Sequence, residues 1–168
     1  RVAYHFKGQD TTYGEFDGLV SRLASSLAEL GVGKGDHVAL LLGNTPHFLN
    51  TLYATMRLGA IAIPINPIFT PEEISYIIHN SDAKLVVAND LLLPLVEKAA
   101  DVFSSVQQYV ICETEPSTPE KVASLPEPLK SKVSLYRQLI VQGASVFEPV
   151  AVEEDDTAII LYTSGTTG

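Results

Sequence analysis

Apolar positions in this chain come in two textures. Short apolar runs such as Val38–Leu42 and Ile61–Ile65, the second interrupted by Pro64, are separated by longer stretches in which apolar residues return every three or four positions. That alternation predicts an α/β fold with a mostly parallel sheet flanked by helices. Val2–Phe6 reads as a strand, and Lys7-Gly8-Gln9-Asp10 as the turn after it. Thr12 with Glu15 forms a capping box that opens a helix. Phe16, Leu19, Val20, Leu23, Ala24, Leu27 and Leu30 make its buried stripe. Gly31 stands where a left-handed C-terminal cap belongs, and Gly33-Lys34-Gly35-Asp36 turns the chain into a strand over His37–Leu42.

Thr45-Pro46 opens a second helix, with Thr as N-cap and Pro at the first helical position, running to about Leu58. Gly59 ends it, and Ala60–Ile63 is a short strand. Thr70 with Glu73 is another capping box, starting a helix to about Asn80. Lys84–Ala88 reads as a strand, Leu92–Ala100 as a helix and Gln108–Cys112 as a strand. Residues 113–133 hold four prolines and no period, so they read as a surface excursion or mobile loop. Ser134–Gln142 reads as a short helix, Glu153–Asp156 as a solvated acidic turn and Thr157–Tyr162 as the last strand.

Composition narrows the function classes. At 168 residues, 46% hydrophobic and 18% charged, the chain suits one α/β domain or subdomain with a real core. A formal charge of −9 excludes the basic face that a nucleic-acid binder needs and disfavours attachment to anionic lipid. Cys112 is the only cysteine, so neither an intrachain disulfide nor a Cys-based metal site can form; it is expected to pack as a small apolar residue. No apolar run approaches the roughly 20 residues of a spanning helix, which implies no transmembrane segment and a cytoplasmic setting, free or peripheral to a membrane. His5, His37, His47 and His79 are scattered without ligand spacing, and Gly31–Gly35 follows a helix instead of a strand, the reverse of a dinucleotide fingerprint. The chain begins at Arg1 and stops inside a loop-like string, so it is expected to be an incomplete N-terminal unit that self-associates through its uncovered face.

The candidate chemistry sits at that last string. An apolar strand delivers the chain into Thr163, Ser164, Gly165, Thr166, Thr167 and Gly168. Glycines allow positive φ, so successive amides can face one concavity and hold an anion, while four hydroxyls can donate to phosphate oxygens. The string is not the Gly-Lys-[Ser/Thr] loop of P-loop NTPases. On composition alone, a Ser/Thr/Gly surface turn remains open. Glu153–Asp156 could bind a metal, although an acidic run before a strand is usually a solvated turn.

Leu161-Tyr162-Thr163-Ser164-Gly165-Thr166-Thr167-Gly168 resembles the phosphate-loop motif of the adenylate-forming superfamily. Thr12-Tyr13-Gly14-Glu15-Phe16 resembles that family's early Thr-Tyr-x-Glu-Leu motif, and Gly59-Ala60-Ile61-Ala62-Ile63-Pro64-Ile65-Asn66-Pro67 its Gly-Ala-x-x-x-Pro-Leu-Asn-Pro segment. Asn66-Pro67 is more like acyl-CoA synthetases than nonribosomal adenylation domains, and the tract 70–87 resembles fatty-acyl-CoA ligases, although Gly59-Ala60 and Pro64–Pro67 read more readily as turn-formers than as ligand contacts.

The resemblance implies part of the large N-terminal domain of an acyl-CoA synthetase-like fold. It also implies an ATP-dependent, AMP-forming carboxylate–CoA ligase of lipid metabolism, acting on a long- or medium-chain fatty acid with ATP, Mg and CoA. Thr163–Gly168 would then bind the nucleotide phosphates, Thr166 and Thr167 by direct hydroxyl contact, and the catalytic residues would lie downstream. The chain alone is expected to be inactive. The alternatives are a non-catalytic nucleotide-binding module, an interaction or structural α/β domain, or an adenylation domain or other member of the same superfamily.

Overall fold

The computed structural model of the chain describes residues 1–163. It opens with an antiparallel hairpin, β1 (Val2–Phe6) and β2 (Gln9–Thr12). Lys7 and Gly8 between them both take positive φ, the hand of turn that right-twisted hairpin strands require. Thr12 then caps α1 (Tyr13–Glu29), with both bonds of the capping box formed, and Gly31 closes it at φ +93°.

Five parallel strands make the central sheet: β3 (His37–Leu41), β4 (Ile61–Pro64), β5 (Leu85–Asn89), β6 (Gln108–Cys112) and β7 (Val133–Leu135). Their order is β4-β3-β5-β6-β7. The connecting helices are α2 (Pro46–Arg57), α3 (Pro71–Asn80), α4 (Leu93–Ala99), α5 (Thr118–Ala123) and α6 (Tyr136–Gln142). The strands are apolar at nearly every position because helices cover both faces of the sheet. Val38, Leu40, Leu85, Val87 and Val110 face a layer built by α1, α2 and α6. Their neighbours Ala39, Leu41, Val86, Ala88 and Ile111 face α3 and α4. Cys112 is buried in the first layer, where desolvation pushes its thiol far up and leaves it a packing residue. No helix among the described residues is long and apolar enough to cross a membrane.

Four local expectations change. β2 and β7 are strands where a turn and the start of a helix were expected; neither carries an alternating run long enough to announce itself. Thr45 holds the N-cap position of α2 without a side-chain hydrogen bond, so Pro46 alone marks that start. Residues 113–133 are not structureless: they contain α5, and Val122, Leu125 and Leu129 bury themselves in the α3/α4 layer.

The fourth change concerns Thr157–Tyr162, expected as the last strand. Only one parallel bridge forms, between Ala62 and Ile159. Ala62 donates to the Ala158 carbonyl and accepts from the Ile160 amide, both at 2.9 Å. Alternate residues of β4 face this outer edge, so the next donor would come from residue 64. Pro64 has no N–H, and the ladder stops there.

Two polar details fix connections that apolar patterning leaves free. Asp90, at the carboxyl end of β5, is 6% exposed and accepts four hydrogen bonds of 2.5 to 2.9 Å. The donors are the amides of Thr114 and Glu115 and the hydroxyls of Thr114 and Thr118. Burial pushes this carboxyl up, but the four bonds outweigh it and hold it at about 2. At the end of α6, a Cβ on Gly143 would lie 1.9 Å from the backbone oxygen of Arg22 on α1.

Two stability predictions follow from these contacts. Gly143→Ala must push α6 away from α1 and is expected to cost roughly 3 kcal/mol in urea unfolding, the upper end for an overpacked contact. Asp90→Ala leaves four donors without their acceptor and is expected to cost about 3 kcal/mol. Asp90 is depressed from 3.8 to about 2 on folding, so its stabilisation is present above pH ~4 and is lost as pH falls towards 2. Asp90→Asn should therefore flatten the stability–pH curve between about pH 4 and 2, by roughly 2 kcal/mol over that interval. An unchanged slope would show that Asp90 does not carry the acid sensitivity.

Candidate functional site

The chain leaves β3 towards the α2 layer and leaves β4 towards the α3 layer. A crevice lies between the carboxyl ends of these two strands, the end of an open parallel sheet at which ligands bind. Here that crevice has a volume of about 560 Å³ and is walled by Gly43, Asn44, Asn66, Pro67, Phe69 and Tyr162. The Asn66 side chain accepts from the Ile68 amide at 3.1 Å, and its carbonyl accepts from Phe69. Asn66-Pro67 thus builds the rim as a turn. Gly59 does similar work at the end of α2, at φ +65°, where a Cβ would lie 3.2 Å from the Lys34 and Val152 side chains.

The segment that carries the candidate phosphate loop passes along the outer edge of β4 towards the same end of the sheet. After the single bridge at Ala62, the Tyr162 ring packs against the α3/α4 layer and its hydroxyl donates to Asn80 Oδ1 at 2.7 Å. Burial, with smaller contributions from Tyr76 and Asp82, pushes the Tyr162 phenol upwards, so it stays a donor. Tyr162 separates the crevice from a second cavity of about 360 Å³, lined by Phe69, Glu72, Glu73, Tyr76, Ile77 and Thr163. Of the six expected loop residues, the structure therefore places Thr163, exposed on this cavity wall. Ser164, Gly165, Thr166, Thr167 and Gly168 lie outside the described residues.

Upstream, the segment is tied down at the opposite end of the sheet. Lys34 Nζ contacts Asp156 at 2.7 Å and donates to the Ala151 carbonyl at 3.1 Å. The Val150 amide donates to the Arg57 carbonyl. Asp156 also accepts from the Glu153 amide, and with Lys34 this holds its carboxyl below the usual range. Sequence reasoning missed both tethers, Lys34 and Asn80, because each joins residues about eighty or more positions apart.

The electrostatics of the site are one-sided. Glu72 and Glu73 face the smaller cavity, and no Lys or Arg lines either cavity among the described residues. Glu73 is engaged in the Thr70 capping box, while Glu72 is free of one. Among the described residues no group of three or more His, Cys, Asp or Glu side chains gathers as a metal-binding set. The histidines are dispersed: His5 pairs with Asp10 at 2.6 Å, His37 bonds the Ser81 carbonyl, and His47 stacks edge-on against Tyr136. Burial lowers the His47 pKa, so it is a neutral packing group.

Comparison with known proteins gives the site its context. The AMP-binding enzyme family matches residues 1–168. A long-chain-fatty-acid–CoA ligase of Mycobacterium tuberculosis (strain H37Rv) is 35% identical over 162 residues, covering 94% of this chain and 28% of that protein. The 3-hydroxybenzoate–CoA/4-hydroxybenzoate–CoA ligase of Thauera aromatica is 31% identical over 157 residues, covering 94% and 28%. The crystal structure of a long-chain-fatty-acid–CoA ligase from Archaeoglobus fulgidus superposes with a TM-score of 0.79 at 26% identity, over 100% of this chain and 30% of that one. An anthranilate CoA ligase crystallised with anthranoyl-AMP shares the fold, with a TM-score of 0.85 at 23% identity. The chain spans 28% to 30% of the length of these relatives. On the family match over all of its residues, this chain belongs to the AMP-binding enzymes.

Proposed function

We propose that this chain is the incomplete N-terminal unit of an ATP-dependent, AMP-forming carboxylate–CoA ligase. The observation that carries the reading is the path of the segment ending in Thr163. It runs along the sheet edge to the carboxyl ends of the strands, the end at which an open parallel sheet takes its ligand, and beside the crevice there. The relatives named as CoA ligases supply the reaction class.

In the first half-reaction a carboxylate oxygen attacks the α-phosphorus of ATP and pyrophosphate leaves. In the second, the CoA thiol attacks the acyl carbon of the adenylate and AMP departs. The work of this chain is to bind and orient. The Thr163–Gly168 string holds the β- and γ-phosphates through amides and hydroxyls, with Thr166 and Thr167 in direct contact. A magnesium ion accompanying ATP would shield phosphate charge, and its ligands come from outside the described residues.

The acidic lining of the smaller cavity bears on what this chain does not supply. A polyphosphate approaching Glu72 and Glu73 needs cationic partners, and none lines these cavities among the described residues. The chain alone is therefore inactive and binds ATP weakly. The acid is a long- or medium-chain fatty acid, a reading supported by the tract 70–87 and its resemblance to fatty-acyl-CoA ligases. Relatives acting on hydroxybenzoate, 4-hydroxybutyrate and crotonobetaine or carnitine make the other acids necessary controls.

Carboxylate-dependent ATP–pyrophosphate exchange by the full-length protein tests this, across short, medium, long and aromatic acids, with the 168-residue chain alongside. Exchange by the full-length protein and none by the chain is expected. Thr166→Ala and Thr167→Ala should each lower exchange on the order of 10²-fold, the usual loss for one donor to a developing anion. A full-length protein silent with every acid would remove the ligase reading and leave the fold.

A further inference from the structure

We infer that Asn80 is a positioning residue for the phosphate-binding loop, acting through the hydroxyl of Tyr162. The inference rests on the ligase reading for its kinetic consequence, but its structural premise stands on the described residues.

The backbone alone gives the segment 157–163 little hold. Ala62 provides one donor and one acceptor to it, and the next outward-facing residue of β4 is Pro64, which has no N–H to give. The ladder therefore ends after Ile160, before the loop begins. From there the chain meets the rest of the protein through Tyr162. Its ring lies against the apolar layer, which limits its height above the sheet but leaves it free to slide. The hydroxyl bond to Asn80 Oδ1 at 2.7 Å supplies the missing direction.

Asn80 is suited to this because it ends a helix that is packed into the core. It is the last residue of α3, whose first turn is locked by the Thr70–Glu73 capping box and whose Ile74, Ile77 and Ile78 are buried. One bond thus transfers the rigidity of a packed helix to the residue next to Thr163. Asn80 lines neither cavity, so it touches the nucleotide in no step; it sets where the loop starts.

Two measurements on the full-length protein test the inference. In pyrophosphate exchange, Asn80→Ala and Tyr162→Phe should each lower kcat/KM for ATP about tenfold, since small misplacements of a binding group are costly. The double variant should lose no more than either single one, the mark of a shared interaction. KM for the acid should stay unchanged, and Asn80→Asp, which keeps an acceptor, should restore most of the loss.

Hydrogen exchange read on a peptide covering residues 157–168 provides the second measurement. It should quicken in Asn80→Ala and Tyr162→Phe but not in Asn80→Asp, with the thermal midpoint unmoved in all three. Additive kinetic losses, or unaltered hydrogen exchange in Asn80→Ala, would overturn the inference. A wild-type protein inactive with every acid would overturn the ligase reading instead, and hydrogen exchange would still decide whether Asn80 holds this segment.

Discussion

A parallel strand hydrogen-bonded on both edges and buried on both faces leaves almost no solvent-facing position, and β3 is such a strand. Val38 and Leu40 must suit the layer of α1, α2 and α6, while Ala39 and Leu41 must suit the layer of α3 and α4. Neither set can be polar without an unpaired group in the core. Once β3 is fixed, β4 and β5 take its two edges and their helices are obliged to cover its two faces. The chain leaves β3 and β4 towards opposite faces, and the crevice lies at their carboxyl ends.

What the apolar layers leave open is settled by a few polar groups at the strand ends. Asp90 gathers the start of the β6–β7 connection onto the end of β5, and in doing so lets Val122, Leu125 and Leu129 reach the core. Lys34 holds the later connection near the amino ends of the strands, and the Lys84–Asp36 pair does the same for the turn before β3. These groups contribute less through net binding strength than through direction. A buried carboxylate with four donors accepts one arrangement of the loops around it, whereas apolar contact accepts many.

How much of this was legible in the sequence depended on the range of the interaction. The stripe of α1, the capping boxes at Thr12 and Thr70 and the left-handed Gly31 are local, within four residues, and the structure repeats them. β7 is three residues long and owes its existence to pairing with β6, which no local pattern could announce. Nothing local in the sequence singles out Asp90, because its donors lie 24 to 28 positions away. Asn80 and Tyr162 are 82 positions apart. Pro64 is the instructive exception. A proline inside a strand marks a sheet edge, so the outer position of β4 was open to inference from one residue, as was the early end of any strand that paired beside it.

The same proline bears on how the phosphate grip proposed for Thr163–Gly168 would be joined to the sheet. An amide bound to a neighbouring strand has no hydrogen left for an anion, so a loop that follows a strand must leave the ladder before its amides are needed. Leaving the ladder early frees the amides but removes the backbone's own means of placing them. An alternative restraint has to come from side chains, and it must act without using main-chain donors. A tyrosine that packs by its ring and bonds by its hydroxyl meets that requirement, because both of its attachments spare the backbone. On this argument the missing N–H of Pro64 and the hydroxyl of Tyr162 are two halves of one solution: the first releases the chain from the sheet, and the second fixes where it goes.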